Sequence, residues 1–192
     1  MNGIMALFSA LGLSTAAGLN AYIPLLVIGA LDRYAPQLVN LSGPFELISN
    51  PWLMLAVGVL AVLDFVGDKI PAVDHAVHAV GLVLNPIAGA IVALAANSDA
   101  GAVNPVLIAI CGLLVAGGVH TVRATVRPAA TLTTGGVGNP ILSLIEDAIA
   151  LVLSGLAVLL PVLAFLLVLV LAWLVVWFLR RIGWGRRKAG GR

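Results

Sequence analysis

The sequence predicts an all-α integral membrane protein of about six transmembrane helices, and three observations lead to this fold class. First, 61% of the residues are hydrophobic and only 9% are charged, whereas soluble domains carry roughly 25% charged residues. Second, one crossing takes about 20 mostly apolar residues, so the chain holds roughly five to seven crossings and no separate soluble catalytic domain. Third, lysine and arginine are distributed between the predicted loops in a way that favours an even number of crossings.

The first half of the chain holds three predicted crossings, at residues 6–31, 52–66 and 79–96. The first contains Asn20 and also Pro24, which removes one backbone hydrogen bond and bends or breaks a helix. A loop with a short surface helix near residues 45–48 leads to the second crossing. The third is predicted to break at Asn85-Pro86 for the same reason as the first.

The second half holds three more predicted crossings, at residues 106–119, 132–154 and 158–179. Residues 120–128 are basic and are predicted to form a loop after the fourth crossing. A glycine-rich stretch at residues 135–140 interrupts the fifth crossing. The uncharged run from 148 to 179 is too long for one crossing, so Gly155 and Pro161 are predicted to provide a turn between the fifth and the sixth.

Lysine and arginine counts in short loops predict the orientation of the chain. With six crossings, one side holds the N-terminus, Lys69, Arg123, Arg127 and the basic tail, and the other side holds only Arg33. We therefore predict that both termini lie in the cytoplasm. The tail at residues 180–192 suits anionic lipid headgroups. Nucleic-acid binding is not expected, because the chain lacks a folded basic surface with base-reading groups.

A shift of 54 residues aligns one part of the chain with another. The aligned steps are Asn50-Pro51 with Asn104-Pro105, Lys69 with Arg123, and Asn85-Pro86-Ile87 with Asn139-Pro140-Ile141. We predict a duplication within a single transmembrane domain at residues 1–179, with units at about 50–98 and 104–152. Residues 13–20 resemble residues 132–139 as a partial third copy. Two crossings per unit make the repeats parallel, whereas a segment that dips in and returns makes them inverted and lowers the count of six.

Three apolar segments are each interrupted at an asparagine, namely Asn20, Asn85 and Asn139. A break at Pro or Gly frees backbone N–H and C=O groups, which in hydrocarbon must be paired again or must line a cavity. Interrupted segments at corresponding places mark the midplane binding sites of transporters. The alternative is that the glycines allow close helix packing and the prolines only kink the helices.

Carboxylates and histidines concentrate between the second and third crossings. Asp64 and Asp68 are four residues apart and share one face of a continuing helix. Asp74, His75 and His78 follow, and such a set would bind a divalent ion such as zinc or relay protons. In the alternative interpretation, Asp74 caps the third helix and the histidines face the membrane interface.

Two further carboxylates, Glu146 and Asp147, lie inside the fifth apolar segment. A carboxylate at such a position needs a partner, water or a proton, so we predict that one of the two faces the bundle interior. Arg123 and Arg127 are predicted to pair with Asp64 or Asp68 or to attract an anion, although the preference for positive charge on the cytoplasmic side also explains them.

Three stretches resemble a known family. They are GLSTAAGLNAYIPLL (residues 12–26), DFVGDKIPAVDHAVHAVG (64–81) and TTGGVGNPILSLIEDA (133–148). Together they are similar to a bacterial integral-membrane family that is classified as a domain of unknown function. The resemblance extends over about residues 9 to 160 and implies a multi-span inner-membrane protein. It implies no substrate and no catalytic residue.

The sequence favours a small channel or transporter for an ion or small polar solute, and it favours this over an enzyme. The predicted pathway residues are Asn20, Asp64, Asp68, Asn85, Arg123, Asn139, Glu146 and Asp147. One alternative is a membrane-embedded enzyme that acts on a lipid-soluble substrate with a divalent metal ion at Asp68, Asp74, His75 and His78. The other is a non-catalytic scaffold whose polar groups only hold helices together. The lipid bilayer and further copies of the chain, as a homo-oligomer, are the expected partners.

Overall fold

The computed structural model describes the backbone of residues 3–67, 71–98, 103–135 and 138–189, and the side chains of these ranges outside 71–78, 129–131, 178–179 and 181–189. The described residues form seven α-helices and one 3₁₀ helix and contain no β-strand, which confirms the predicted all-α class. In chain order the helices are α1 (Gly3–Leu19), α2 (Tyr22–Tyr34), the 3₁₀ helix (Gly43–Ser49), α3 (Pro51–Gly67), α4 (Pro71–Ser98), α5 (Pro105–Thr134), α6 (Asn139–Leu159) and α7 (Pro161–Ala189).

Large apolar side chains cover the outer faces of these helices, as Leu55 (60% exposed), Ile110 (49%) and Leu151 (56%) illustrate. An apolar surface of this extent suits a bilayer and not water. Among the described residues, three helical stretches are long and apolar enough to cross a membrane: Ala79–Ser98, Pro105–Thr134 and Asn139–Leu159. The 3₁₀ helix and α3, which meet at 61°, give a fourth if they count as one crossing. The number of six crossings stays a prediction.

The first apolar segment reverses its direction at Asn20. Ser9 of α1 and Ile28 of α2 line one cavity of about 230 Å³ together with residues 36–41. In one straight helix Ser9 and Ile28 would lie about 28 Å apart, so α2 returns alongside α1 as the second arm of a helical hairpin. We call the end of the molecule that holds Asn20 the tip end and the end that holds residues 36–41 the base end.

This reversal corrects the predicted single crossing at residues 6–31. The chain turns at Asn20, four residues before Pro24, and Pro24 lies within the first turn of α2. The start of α1 and Arg33 consequently lie together at the base end, whereas a single crossing would have placed them on opposite sides of the membrane.

The other helices continue this up-and-down arrangement. Along α4, Asn85 contacts Gly18 and Gly89 contacts Ser14, so α4 runs antiparallel to α1. Further along the chain, α6 is antiparallel to α1 as well, because Asp147 reaches Asn20 and a Cβ on Gly12 would touch Ala157. Asp64 near the end of α3 and Arg123 in the second half of α5 also reach the turn at Asn20, so α1, α3 and α5 run towards the tip end and α2, α4 and α6 run away from it. These directions match parallel repeats, although the duplication itself stays a prediction.

The predicted break at Asn85-Pro86 is wrong, because α4 continues through both residues. Proline inside a membrane helix is tolerated where neighbouring helices accommodate it. Here Gly117 of α5 faces the Pro86 ring, and a Cβ at Gly117 would lie 3.4 Å from the ring Cγ. The Pro86 ring therefore packs against α5 beside Gly117, and the two helices stay in contact at this point.

Two other boundaries differ from the prediction. Residues 120–128 are not a loop, because α5 continues to Thr134. It ends at Gly135, whose φ of +61° is the left-handed conformation that commonly terminates a helix. The fifth predicted crossing ends at Leu159 instead of Gly155, and α7 begins at Pro161. The short surface helix predicted near residues 45–48 is confirmed as the 3₁₀ helix.

Helix α1 forms the centre of the bundle. Most of its buried residues are small, including Ala6, Ala10 and Ala16, each at most 1% exposed, and the helix packs against α4, α5, α6 and α7. Because small side chains let helix backbones approach closely, α1 holds four neighbours at once. The polar groups at its C-terminal end are therefore surrounded by protein and not by lipid.

Candidate functional site

The candidate site is built around Asn20, which lies at the turn between α1 and α2 and is 3% exposed. Its Oδ1 atom accepts hydrogen bonds from the backbone N–H groups of Tyr22 (2.9 Å) and Ile23 (3.2 Å). These are donors at the start of α2 that have no partner within the helix, so Asn20 caps α2. Its Nδ2 atom donates to Asp147 Oδ1 (2.9 Å) and to Asp64 Oδ2 (3.3 Å). A single side chain thus joins α2, α3 and α6.

The C-terminal carbonyls of α1 are bound by side chains from α4 and α5. Asn85 donates from Nδ2 to the carbonyl oxygen of Gly18 (3.1 Å), and Arg123 donates from Nη1 to that of Leu19 (2.7 Å). A helix end leaves its last carbonyls unpaired and carries partial negative charge, which attracts a cation. The reversal of the chain at Asn20 is possible inside the membrane because these two side chains replace the lost backbone partners.

Two arginines and one glutamate form the buried part of the site. Arg123 Nε lies 2.7 Å and Arg127 Nη2 2.6 Å from the same atom, Oε2 of Glu146. The three residues are 6%, 2% and 8% exposed. Charges so deeply buried need close partners, because their loss of hydration costs several kcal/mol per ion, on the order of what the pairing returns. Glu146 faces the interior, as the sequence predicts for one of the two carboxylates.

The other two carboxylates of the site, Asp64 and Asp147, are only half-buried. Both point an oxygen at the same nitrogen of Asn20, so they lie close to each other at the rim of the network. Two negative groups in this position repel each other, and a proton or a cation relieves the repulsion. With the three carboxylates Asp64, Glu146 and Asp147 and the two arginines ionised, these five side chains carry a formal net charge of −1.

His120 is a further member of the site. It is 1% exposed and lies against Gly81, where an added Cβ would be 2.6 Å from the imidazole Cε1 atom. With Arg123 and Arg127 it follows the spacing i, i+3, i+7, which places all three on one face of α5. The predicted pathway residues include Arg123 but not His120 and Arg127, which were attributed to a basic loop on the cytoplasmic side. The helical spacing is the signal that identifies them.

The remaining predicted residues are not joined to this network by the contacts described. Asn139 is the first residue of α6 and is 5% exposed. Asp68 lies outside the described residues, and so do the side chains of Asp74, His75 and His78, although their backbone belongs to α4. Within the part of the chain that the structure describes, no three His, Cys, Asp or Glu side chains are placed to hold a metal ion. The metal site stays a prediction.

The helical fold, the lipid-facing apolar surface and the buried polar site together define a multi-helix membrane protein. The chain belongs to the family described as "Domain of unknown function (DUF4126)", which it matches over residues 7–181. This confirms the resemblance to a family of that kind. Neither a curated protein nor a solved structure matches the chain.

Proposed function

We propose that the protein is a small transporter or channel for an ion or small polar solute, and that the Asn20 network is its working site. The observation that carries the proposal is the pair of half-buried carboxylates, Asp64 and Asp147, that share one Asn20 nitrogen beside the buried Arg123–Glu146 pair. Ionisable groups within membrane segments are expensive and commonly serve ion or proton pathways.

The position of these carboxylates supports a role in coupling. A proton or cation bound between Asp64 and Asp147 removes their mutual repulsion and weakens the pull of both on Asn20. Because Asn20 also caps α2, a change at the carboxylates is transmitted to the turn between α1 and α2. We propose that the occupied and empty states of the carboxylate pair differ in the angle of this hairpin.

The cavity at the base end supports a pathway through the hairpin. None of the residues that line it is charged, and it includes the 2%-exposed Ser9, whose hydroxyl has no hydrogen-bond partner among the described atoms. Ser9 and Asn20 are eleven positions apart along packed helix, a distance of about 16 Å. A cavity at one end and accessible carboxylates at the other are what a closed intermediate of a transporter would have.

Proteoliposomes that contain the internal pH dye pyranine test the proposal. With a potassium diffusion potential, we expect the wild type to raise proton influx about tenfold over empty vesicles. If the solute is neutral, we expect the same tenfold rise in the uptake of glycerol or urea in a parallel shrinkage assay. In the double variant Asp64→Asn/Asp147→Asn, we expect the flux to fall about tenfold, which is equivalent to about 1.4 kcal/mol in the barrier to transport. Asp32→Asn at the base end is the matched control and should retain flux.

A second candidate function is a membrane scaffold, and the direct ion pairs of Glu146 with Arg123 and Arg127 favour it. In a scaffold these charges only hold α5, α6 and α1 together. Wild-type vesicles that take up no more protons, glycerol or urea than empty vesicles would contradict transport and favour this second function.

We also propose that the tip end faces the cytoplasm of a bacterial cell and that the chain works as a homo-oligomer. Arg123 and Arg127 lie towards the tip end and Arg33 lies at the base end, so the positive-inside preference favours this orientation. The start of α1 then faces the opposite side, which revises the orientation predicted for the N-terminus, while the basic tail keeps its predicted cytoplasmic place and its anionic lipid partners.

A cysteine-labelling experiment tests the orientation. The native Cys111 is replaced by serine, and Gln37→Cys places a single thiol at the exposed base end. We expect a membrane-impermeant maleimide to label this thiol in intact cells. Labelling only after the cells are broken would place the base end in the cytoplasm.

A further inference from the structure

An apolar groove of about 370 Å³ runs along the outside of the bundle. Three elements form its walls, and α4 contributes one further side chain. The lining residues are Leu25 and Leu26 of α2, Pro44, Phe45, Leu47 and Ile48 of the 3₁₀ helix, Leu53, Met54 and Val57 of α3, and Ile91 of α4. The groove therefore extends from the middle of α2 to the 3₁₀ helix at the base end.

Helix α3 borders this groove and packs only loosely against the rest of the protein. Gly67 is its one buried residue, and Trp52, next to the groove, is 78% exposed. A gap between a helix and its neighbours costs the dispersion contacts of the atoms that line it. In a bilayer the available filling material is a lipid acyl chain, which is apolar like the lining of the groove and flexible enough to fill it.

A positive charge lies beside the base end of the groove. Arg33, in the last turn of α2, donates from Nη1 to the carbonyl oxygen of Ser49 (3.4 Å), and Ser49 follows Ile48 of the groove wall. Its guanidinium is exposed. The neighbouring Asp32 is engaged elsewhere, because its Oδ1 accepts a hydrogen bond from the backbone N–H of Leu41 (2.7 Å).

We propose that this groove binds one glycerophospholipid, with an acyl chain between α2 and α3 and the phosphate at Arg33. The arrangement agrees with the physics of the membrane boundary. An exposed tryptophan such as Trp52 favours the headgroup level, and a guanidinium there binds a phosphate through charge-assisted hydrogen bonds. The site lies on the outer face of the bundle, apart from the Asn20 network. The lipid holds α3 against the bundle, and α3 carries Asp64.

Native mass spectrometry of the full chain in mild detergent tests this site, with titration by dioleoyl phosphatidylglycerol or dioleoyl phosphatidylcholine. We expect one lipid of either kind to remain bound to the wild type at collision energies that remove all others. Leu26→Trp fills the groove and should reduce the bound fraction at least about tenfold, while Arg33→Gln should weaken binding of both lipids about fivefold.

Two controls keep the result interpretable. Leu55→Trp adds the same bulk to α3 at a side chain that is 60% exposed and does not line the groove, so it should bind lipid as the wild type does. Val57→Phe narrows the groove at a second point and replaces Leu26→Trp in the experiment if that variant does not fold. Retention of lipid by the groove variant that folds, or equal loss in Leu55→Trp, would overturn the site.

Discussion

The Glu146→Ala variant is expected to unfold about 6–20 °C below the wild type. Glu146 accepts hydrogen bonds from Arg123 Nε and Arg127 Nη2, and both arginines are more than nine-tenths buried. Removing the carboxylate takes away the negative charge that these two buried cations share, and breaking a buried ion pair costs about 3–5 kcal/mol. One kcal/mol corresponds to about 2–4 °C for a chain of this length. Scanning fluorimetry in mild detergent measures the midpoint.

Leu144→Ala is the control for this variant, because Leu144 lies two residues earlier on α6 and is 58% exposed to lipid. We expect its midpoint to change by less than about 2 °C, as is usual for exposed positions. If Glu146→Ala unfolded at the same temperature as Leu144→Ala, the buried arginines would not need Glu146 for stability. The ion pairs could then not be what holds α5 to α6.

The residues of the site were largely predictable from the sequence, whereas their arrangement was not. Asn20, Glu146 and Asp147 are conspicuous because polar groups inside apolar segments need a reason to be there. The reversal of the chain at Asn20, in contrast, could not be predicted from the sequence. It depends on Asn85 and Arg123 binding the end of α1, and these residues are 65 and 103 positions away in the sequence. No local pattern contains that information.

The two Asn-Pro steps at residues 85 and 139 illustrate the same limit. They align in the predicted repeat, yet α4 continues through Pro86 while α6 begins at Asn139. The difference is set by the surroundings, since the Pro86 ring packs against α5 beside Gly117, and by Gly135, whose positive φ ends α5 before the second step. Sequence reasoning detects a weak point in a helix, but packing decides whether the helix breaks there.

The basic stretch after residue 120 was mistaken for a loop for an electrostatic reason. Hydropathy assigns arginine to water, and this holds for an isolated side chain in lipid. Here Arg123 is compensated by Glu146 of α6 and by the end of α1, so it is buried at 6% exposure within a continuous helix. The helical spacing of His120, Arg123 and Arg127 is the one local sign of this, and it becomes informative only when burial is considered.

A close backbone approach between α4 and α5 provides the last prediction. Gly89 and Gly112 face each other, and a Cβ added to Gly112 would lie 2.5 Å from the Gly89 carbonyl oxygen and 2.7 Å from the Ala93 Cβ. Backbone atoms cannot turn aside as a flexible side chain can, so Gly112→Ala must push the helices apart. We expect a loss of about 1–3 kcal/mol, or a midpoint about 2–12 °C lower in scanning fluorimetry.

Gly118→Ala is the matched control on the same helix, because nothing lies within 4 Å of the Cβ position there. Alanine favours the helix over glycine by up to about 1 kcal/mol, so this variant should be as stable as the wild type or more stable. If Gly112→Ala lowers the unfolding midpoint and Gly118→Ala does not, the loss comes from the contact between the helices and not from helix propensity.

Because the Gly89 carbonyl oxygen is also 3.1 Å from the Ser14 hydroxyl, moving α4 from α5 would disturb α1 as well. A Gly112→Ala protein as stable as the Gly118→Ala protein would mean that the two helices are not packed this closely.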